Sequence, residues 1–215
     1  MKIGFISLGC SKNLVDTEKM IGICKKNEFE IVSDAQEADI ILINTCGFIQ
    51  SAKEEAIQTI LEMSEYKETG NCKYLVVTGC LIQRYKGELE KEIPEVDLWI
   101  TIDEYDNFWG KLEELLEQKD YTEQKLDDHN RVLTTGDKTA YLKIAEGCSN
   151  CCAYCAIPNI RGPYRSRSKE DIVQEAKELA QKRNKGNNNN CTRYNEIWNR
   201  SIWRSKTSRI ITGNQ

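Results

Sequence analysis

Short apolar runs alternate with longer amphipathic segments along residues 1–119 of this chain. The apolar runs predict four strands, at Lys2–Leu8, Asp39–Asn44, Lys73–Thr78 and Leu98–Ile102. The segments after them have helical spacing and predict helices at Asn13–Lys26, Ser51–Tyr66, Gln83–Glu92 and Tyr105–Gln118. The second predicted strand is apolar throughout, which is typical of a strand buried on both faces. The alternation therefore predicts an α/β domain with a flavodoxin-like parallel sheet.

The chain divides into further segments after residue 120. Residues 121–138 are polar and contain the only histidine, His129, which we interpret as a linker residue rather than a metal ligand or general base. Thr139–Glu146 has an apolar run that predicts the first strand of a second domain. Ser168–Lys182 predicts a helix, with Ser168 as its N-cap and Asp171 three residues later. The predicted domains are therefore 1–120 and 139–182, joined by 121–138 and followed by 183–215.

Composition and charge narrow the functional classes. The chain has 215 residues, of which 40% are hydrophobic, enough for a sizeable core. A net charge of −4 argues against a broad nucleic-acid-binding surface. Ten cysteines would suggest disulfides in a secreted protein, but the apolar run after Met1 and Lys2 is too short for a signal peptide or a membrane span. We therefore expect a cytoplasmic protein whose thiols bind metal.

The most informative motif places three cysteines, Cys148, Cys152 and Cys155, in one short loop with Cys-x3-Cys-x2-Cys spacing. A structural zinc site is closed by four ligands, and no fourth cysteine or histidine follows nearby. Three thiolates suit a 4Fe–4S cluster with one open iron, at which a small ligand can bind and react. A partial zinc site and three unrelated buried cysteines remain the alternative interpretations.

Three further cysteines occupy equivalent positions in the first domain. Cys10, Cys46 and Cys80 follow the first three predicted strands, and each has a glycine beside it. Because the carboxyl ends of parallel strands lie on one edge of a sheet, we expect these thiols to converge, with the glycines letting the backbone approach a bulky ligand. This placement predicts a second cluster with its own open iron, against the alternative of chance placement of buried cysteines. The remaining cysteines, which we interpret as incidental, are Cys24, Cys72, Cys151 and Cys191.

The loop of Cys148, Cys152 and Cys155 has an aromatic residue, Tyr154, just before its last cysteine, and resembles the radical S-adenosylmethionine (SAM) signature. Together with the cysteines of the α/β domain, it resembles the methylthiotransferase family from Met1 to about Lys182. The resemblance implies two 4Fe–4S clusters and SAM as cofactors, with SAM bound to the open iron of the second cluster and its adenine near Tyr154. It also implies that residues 139–182 are the incomplete start of a radical-SAM (β/α) barrel.

The run Ser7–Glu18 resembles the branch of that family that modifies a ribosomal protein, and so does Ile157–Arg167. The resemblance implies that a 5′-deoxyadenosyl radical removes hydrogen from the β-carbon of an aspartate in a small-subunit ribosomal protein. The cluster on the first three cysteines carries the incoming sulfur, which a second SAM methylates. The expected partners are that substrate and an electron donor such as flavodoxin or ferredoxin, for a monomer without membrane association. A tRNA methylthiotransferase and a non-catalytic iron–sulfur-binding fragment remain the alternatives.

Three arginines of this segment, Arg161, Arg165 and Arg167, have two interpretations. They contact the substrate or the SAM carboxylate, or they form a solvated basic loop. From Arg183 the pattern collapses into four consecutive asparagines and scattered Arg and Ser with no sustained period.

We interpret residues 183–215 as an aberrant, disordered tail produced by one extra base near the codon of Lys182. With AAT codons, the run Asn187–Asn190 reads in the next frame as four isoleucines, and permitted codons turn the following residues into the family's next segment. A barrel strand without neighbours exposes edges and apolar faces. We therefore expect this chain to lack methylthiotransferase activity.

Overall fold

The structure, a computed structural model, describes residues 1–117, 124–136 and 139–184, with the backbone only for 182–184. The strands of the larger sheet are β1 (Lys2–Ser7), β2 (Glu30–Val32), β3 (Ile40–Thr45), β4 (Tyr74–Gly79) and β5 (Leu98–Ile100). The helices around it are α1 (Ser11–Lys26), α2 (Gln50–Ser64), α3 (Tyr66–Thr69), α4 (Cys80–Glu92), α5 (Phe108–Leu115) and α6 (Ile157–Arg161). Two 3-10 helices, Ala35–Glu37 and Ile102–Asn107, precede β3 and α5.

All neighbouring strands of this sheet run parallel, in the order β2-β1-β3-β4-β5. This is the strand order of flavodoxin-like folds, whose topological switch point lies between β1 and β3. Every residue of the central strand β3 is buried, as its continuous apolar run predicted. The prediction of a flavodoxin-like α/β domain is therefore confirmed.

Two hydrophobic clusters cover the two faces of the sheet because side chains alternate along each strand. On one face, Ile41 packs in a cluster that includes Ile60 of α2. On the other face, Ile40 packs in a cluster that includes Met20 of α1 and Phe108 of α5. Helices therefore occupy both faces, and the loops at the carboxyl edge of the strands are free to carry function.

The structure differs from the sequence prediction at β2 and at three helix starts, of which that of α5 is at Phe108 rather than at Tyr105. β2 is a three-residue edge strand with no fully buried residue, so it leaves no apolar run in the sequence. Helix α1 begins two residues before the predicted Asn13, and α4 begins at Cys80 rather than at Gln83. The earlier starts bring the cysteine loops into the strand-to-helix turns.

Residues 135–146 and 165–184 belong to a second compact unit. It contains β6 (Ala145–Glu146) and β7 (Arg165–Ser166), which pair antiparallel, and helix α7 (Lys169–Asn184). Of the predicted strand Thr139–Glu146, only the last two residues are in a strand, and the described residues show no parallel barrel strands. A strand needs a partner for its backbone groups, and an apolar run alone does not supply one.

The N-terminus of α7 follows its sequence prediction. The Ser168 hydroxyl accepts a hydrogen bond from the backbone N of Asp171 at 3.2 Å, so the expected N-cap is confirmed.

The described part of the predicted linker packs against α1. Glu18 accepts hydrogen bonds from Arg131 Nη1 at 3.1 Å and from the backbone N of Thr134 at 2.8 Å. Residues 124–134 therefore belong to the same compact unit as residues 1–117, and so do residues 147–164, which carry the second cysteine motif. The sequence indicates a linker at residues 121–138, whereas in the structure residues 124–134 pack against α1. The predicted domain bounds stay a prediction.

None of the helices in the described residues is both long and apolar enough to cross a lipid bilayer. The predicted aberrant tail lies outside the described residues apart from the backbone of the last residues of α7, and so does Cys191.

Candidate functional site

Cys10, Cys46 and Cys80 lie at the carboxyl ends of three neighbouring strands. Cys10 follows β1, Cys46 follows β3, and Cys80 is the first residue of α4 directly after β4. Thr45 at the end of β3 pairs with Gly79 at the end of β4, so the last two cysteines start from the same level of the sheet. The three residues therefore meet at one edge of the sheet and flank its topological switch point.

The three thiols differ in exposure, and the other two influence the electrostatics of Cys80. Cys10 is exposed, Cys46 is partly buried and Cys80 is buried. Burial raises the pKa of the Cys80 thiol, Arg161 opposes that rise by its charge and its hydrogen bond, and Cys46 and Cys10 add to it. Cys80 is thus within electrostatic range of both other sulfurs.

Two glycines allow the close approach of these loops. Gly9 has φ +87°, and a Cβ there would lie 2.5 Å from Cβ of Cys46. Gly79 has φ +105°, and a Cβ there would lie 2.3 Å from the carbonyl oxygen of Thr45. Both backbones lie in the left-handed region that favours glycine. The sequence suggested that these glycines make room for a ligand, whereas in the structure they make room for neighbouring protein atoms.

Asn13, in the first turn of α1, ties the three strand ends together. Its Nδ2 donates to the carbonyl oxygens of Leu8 at 3.1 Å and Thr45 at 2.9 Å. These two bonds fix the amide so that Oδ1 is the acceptor for Arg161 Nη2 and for the Cys80 thiol, the latter at 3.5 Å. One buried amide therefore contacts the loops after β1, β3 and β4.

Arg161 is the cationic member of this polar group. Its Nη1 donates to Asp16 Oδ2 at 2.7 Å, and the two side chains are 2% and 3% exposed. Its Nη2 lies 3.7 Å from Sγ of Cys80. Burial raises the pKa of Tyr105, Asp16 adds to the rise, and Arg161 opposes it, so the Tyr105 phenol is neutral and near the same pair. The solvated-loop interpretation is therefore wrong for Arg161.

The second cysteine motif forms a loop closed by backbone hydrogen bonds. Cys148 N donates to the carbonyl oxygen of Gly162 at 3.0 Å, and Cys155 N donates to that of Cys152 at 3.1 Å. Cys152 is exposed, and Cys148 and Cys155 are partly buried. Tyr154 is 80% exposed beside the last cysteine. The roles of the three thiols as ligands, like that of Tyr154 near the adenine, stay predictions.

The donor set at the strand edge consists of three cysteine thiols, which is the donor chemistry that holds iron–sulfur clusters. Within residues 1–117, 124–136 and 139–184, no group of three or more His, Cys, Asp or Glu side chains is arranged to hold one ion. A zinc ion draws its thiolates to about 2.3 Å, whereas a four-iron cube spans more space and is held by thiolates. Arg161 lies near one of these sulfurs as a hydrogen-bond donor, the kind of contact that tunes a bound cluster. The residues present therefore fit a cluster at this edge.

Asn13, Asp16 and Tyr105 belong to this site but were not predicted from the sequence. Asn13, Asp16 and Thr17 stand at helical spacing of three and four residues, on the face of α1 that packs toward the sheet and would ordinarily be apolar. Asn44 joins them from β3, because its Nδ2 donates to Thr17 Oγ1 at 3.0 Å. A polar stripe on the buried face of a helix was the available signal.

Residues 2–101 match the family described as uncharacterized protein family UPF0004. Curated proteins named ribosomal protein uS12 methylthiotransferase RimO are similar to a larger part of the chain. The protein of Alkaliphilus oremlandii is 63% identical over 180 residues, which are 84% of this chain and 41% of its own length. That of Acetivibrio thermocellus is 53% identical over 194 residues, 84% of this chain and 43% of its own. That of Clostridium botulinum (strain Hall) is 51% identical over 187 residues, which are 84% of this chain and 42% of its own length.

These names agree with the methylthiotransferase resemblance of the cysteine motifs and with its ribosomal-protein branch. The chain spans about two fifths of the length of the curated relatives that it matches.

Proposed function

We propose that this chain, whose residues 2–101 carry the UPF0004 domain, is part of a radical-SAM methylthiotransferase that acts on an aspartate of ribosomal protein uS12. The observation that carries the proposal is the meeting of Cys10, Cys46 and Cys80 at one sheet edge, beside an arginine from the second cysteine motif. Three thiols near one another, with a cationic donor at one sulfur, suit an iron–sulfur cluster. The names of relatives that are 51–63% identical support the reaction class.

In this proposal the two cysteine groups have different tasks. Cys10, Cys46 and Cys80 hold the cluster linked to the incoming sulfur, and the loop of Cys148–Cys155 holds the cluster that binds SAM, with Tyr154 beside the adenine. Bound clusters and SAM supply the electron transfer and radical chemistry. The chain itself provides thiolates, keeps Cys80 away from water and carries both motifs in one compact unit. An electron donor such as flavodoxin or ferredoxin and a cytoplasmic location are part of the same proposal.

This chain by itself is expected to be inactive. Its second unit offers the short strands β6 and β7 in the described residues, whereas a closed (β/α) barrel builds its site from the loops of a full ring of strands. We therefore expect a cluster at the first cysteine group without methylthio transfer. Resequencing the gene across the codons of Lys182 and Arg183 tests the frameshift: one base fewer restores the family's reading frame.

The metal content of the chain tests the first part of the proposal. After anaerobic reconstitution with iron and sulfide, we expect about four irons and four sulfides at the first group. Cys80→Ala should lower both, and the matched control is Cys151→Ala, because Cys151 is exposed and lies between two ligands of the other motif. Zinc without sulfide in the chain as purified anaerobically, before reconstitution, would support a zinc-binding module instead. Iron and sulfide lost equally in both variants would contradict the assignment of Cys80.

The substrate is tested with the protein made from the restored reading frame. We expect a methylthio group on an aspartate of uS12 by mass spectrometry when SAM and a reductant are present. Modification of tRNA instead of uS12 would support the tRNA branch. A loaded protein that binds iron and sulfide but does not cleave SAM would support a non-catalytic iron–sulfur protein.

A further inference from the structure

Arg161 connects the two cysteine motifs. It is the last residue of α6, a five-residue helix that starts two residues after Cys155. Its ion-pair partner, Asp16, lies 145 residues away in the sequence, on α1. A side chain from the second motif therefore reaches the strand edge that carries the first.

A buried guanidinium must be paired, because moving a charge out of water costs several kcal/mol. Asp16 supplies the opposite charge at 2.7 Å, and the side-chain oxygen Oδ1 of Asn13 accepts from Nη2. The same Nη2 lies 3.7 Å from the sulfur of Cys80. The ion pair with Asp16 therefore occupies Nη1 of the guanidinium, and Nη2 is directed at Asn13 and Cys80.

The orientation of this fork is fixed by atoms on both sides. Asn13 cannot turn without losing its two bonds to the carbonyl oxygens of Leu8 and Thr45. Asp16 and Arg161 are both almost fully buried. Lys cannot reproduce the contact, because a single ammonium lacks the planar fork that reaches a carboxylate and a second acceptor together.

Hydrogen bonds to cluster sulfurs and nearby positive charge set the reduction potential of iron–sulfur centres. The reduced cluster carries one more negative charge than the oxidised cluster, so a cationic donor at a ligand sulfur favours reduction. An arginine at Cys80 acts on a ligand of the first cysteine group, although it belongs to the second motif.

We infer that Arg161, held by Asp16 and Asn13, is a positioning residue that donates to the Cys80 sulfur and raises the reduction potential of the cluster at Cys10, Cys46 and Cys80. The inference rests on the proposed function, since it requires a cluster at these three thiols. It makes the redox state of the cluster at Cys10, Cys46 and Cys80 depend on correct docking of the loop that carries the second cysteine motif. A purely structural clamp would anchor that loop and leave the potential unchanged.

The experiment isolates the first cluster in the full chain. Cys148, Cys152 and Cys155 are replaced by Ala in all samples, so that only one cluster signal is present. The midpoint potential is measured by a dye-mediated redox titration followed by EPR, together with iron and sulfide content. The variants are Arg161→Lys and the double variant Asp16→Asn with Arg161→Gln, which removes both charges of the buried pair. Arg165→Gln is the control, because Arg165 is exposed four residues further on.

We expect both Arg161 variants to shift the midpoint to a more negative potential and to alter the EPR signal, while Arg165→Gln matches the parent. If one folded Arg161 variant does not retain iron, the midpoint potential of the other variant decides. Arg161 variants that load fully and keep the parent potential and spectrum would overturn it. If Arg161→Lys fails to fold by circular dichroism, the charge-neutral double variant decides. A parent that takes up no iron and sulfide contradicts the proposed function, and the inference with it.

Discussion

The carboxylate of Glu18 accepts a hydrogen bond from Nη1 of Arg131 at 3.1 Å, and each of these side chains is only 1% exposed. Glu18 also accepts from the backbone N and the hydroxyl of Thr134, and its carbonyl oxygen accepts from Val132 N. One residue of α1 therefore holds three positions of the segment 124–134. The contact spans 113 residues of sequence and fixes the path of the chain after the first domain.

Replacing Glu18 by Ala should strongly destabilise the fold. The change removes the carboxylate of the buried Glu18–Arg131 ion pair, and breaking one side of a buried pair typically costs about 3–5 kcal/mol. Urea unfolding at neutral pH measures the loss of unfolding free energy. The control is Glu55→Ala, because Glu55 is exposed on α2 and should change stability by less than about 0.5 kcal/mol. Equal stability of the two variants would contradict a buried pair.

Two helical glycines should respond to alanine with opposite signs. A Cβ at Gly22 on α1 would lie 2.4 Å from the carbonyl oxygen of Asn130 and 3.2 Å from Cα of Arg131, both backbone atoms. Gly22→Ala should therefore push the docked segment away and destabilise the chain by about 1–3 kcal/mol. A Cβ at Gly87 on α4 meets nothing within 4 Å, so Gly87→Ala should stabilise the chain by about 0.5–1 kcal/mol. Thermal or urea unfolding compares them, and the same sign for both would refute the packing at Gly22.

The strands of the first domain were predictable because each is an apolar run in a regular alternation. Predicted and observed bounds of β1, β3, β4 and β5 agree to within two residues. The positions of Cys10, Cys46 and Cys80 at one edge then follow from the parallel topology alone. The edge strand β2 was missed because its three residues pair with β1 without forming an apolar run.

The polar network of the site was not predictable in the same way. Arg161 and Asp16 are 145 residues apart, and no sequence feature near either residue indicates that the two are in contact. Residues 121–138 were predicted to be a linker because their polar composition does not indicate the contact between Arg131 and Glu18. The apolar run at 139–146 predicted a strand, yet a strand forms only where a neighbour accepts its hydrogen bonds, and here that neighbour is the two-residue β7.

Arg167 should be a structural residue of the second unit. Its Nε donates to Asp171 at 2.6 Å, and its Nη1 donates to the carbonyl oxygen of Lys143 at 2.7 Å and to Glu175. Arg167→Lys loses the planar fork that reaches these groups together. We expect amides of α7 to exchange faster with deuterium, while Arg165→Lys, an exposed neighbour, leaves them unchanged. Unchanged protection of the amides from exchange in both variants would instead support a role of Arg167 in substrate or SAM binding.

Glu104 should give the first domain a measurable acid dependence. It forms a capping box with Thr101, whose backbone N donates to Glu104 Oε2 at 2.8 Å, and Lys111 lies 2.9 Å from Oε1. Burial raises the pKa of Glu104, but the hydrogen bonds from Thr101 and Lys111 and the charge of Lys86 outweigh it and lower the pKa to about 2. The pKa of an unfolded glutamate is about 4.3, so folding favours the ionised form.

The sign of the effect follows from this lowered pKa. The stabilisation is fully present above the unfolded pKa of about 4.3 and is lost as the pH falls through the folded value of about 2. Glu104→Gln should therefore lower the unfolding free energy at neutral pH and flatten its dependence on pH over that interval. Glu55→Gln, at an exposed position, should leave both unchanged. Urea midpoints measured at a series of pH values test this, and parallel curves for parent and Glu104→Gln would show that the capping box does not hold the charge of Glu104.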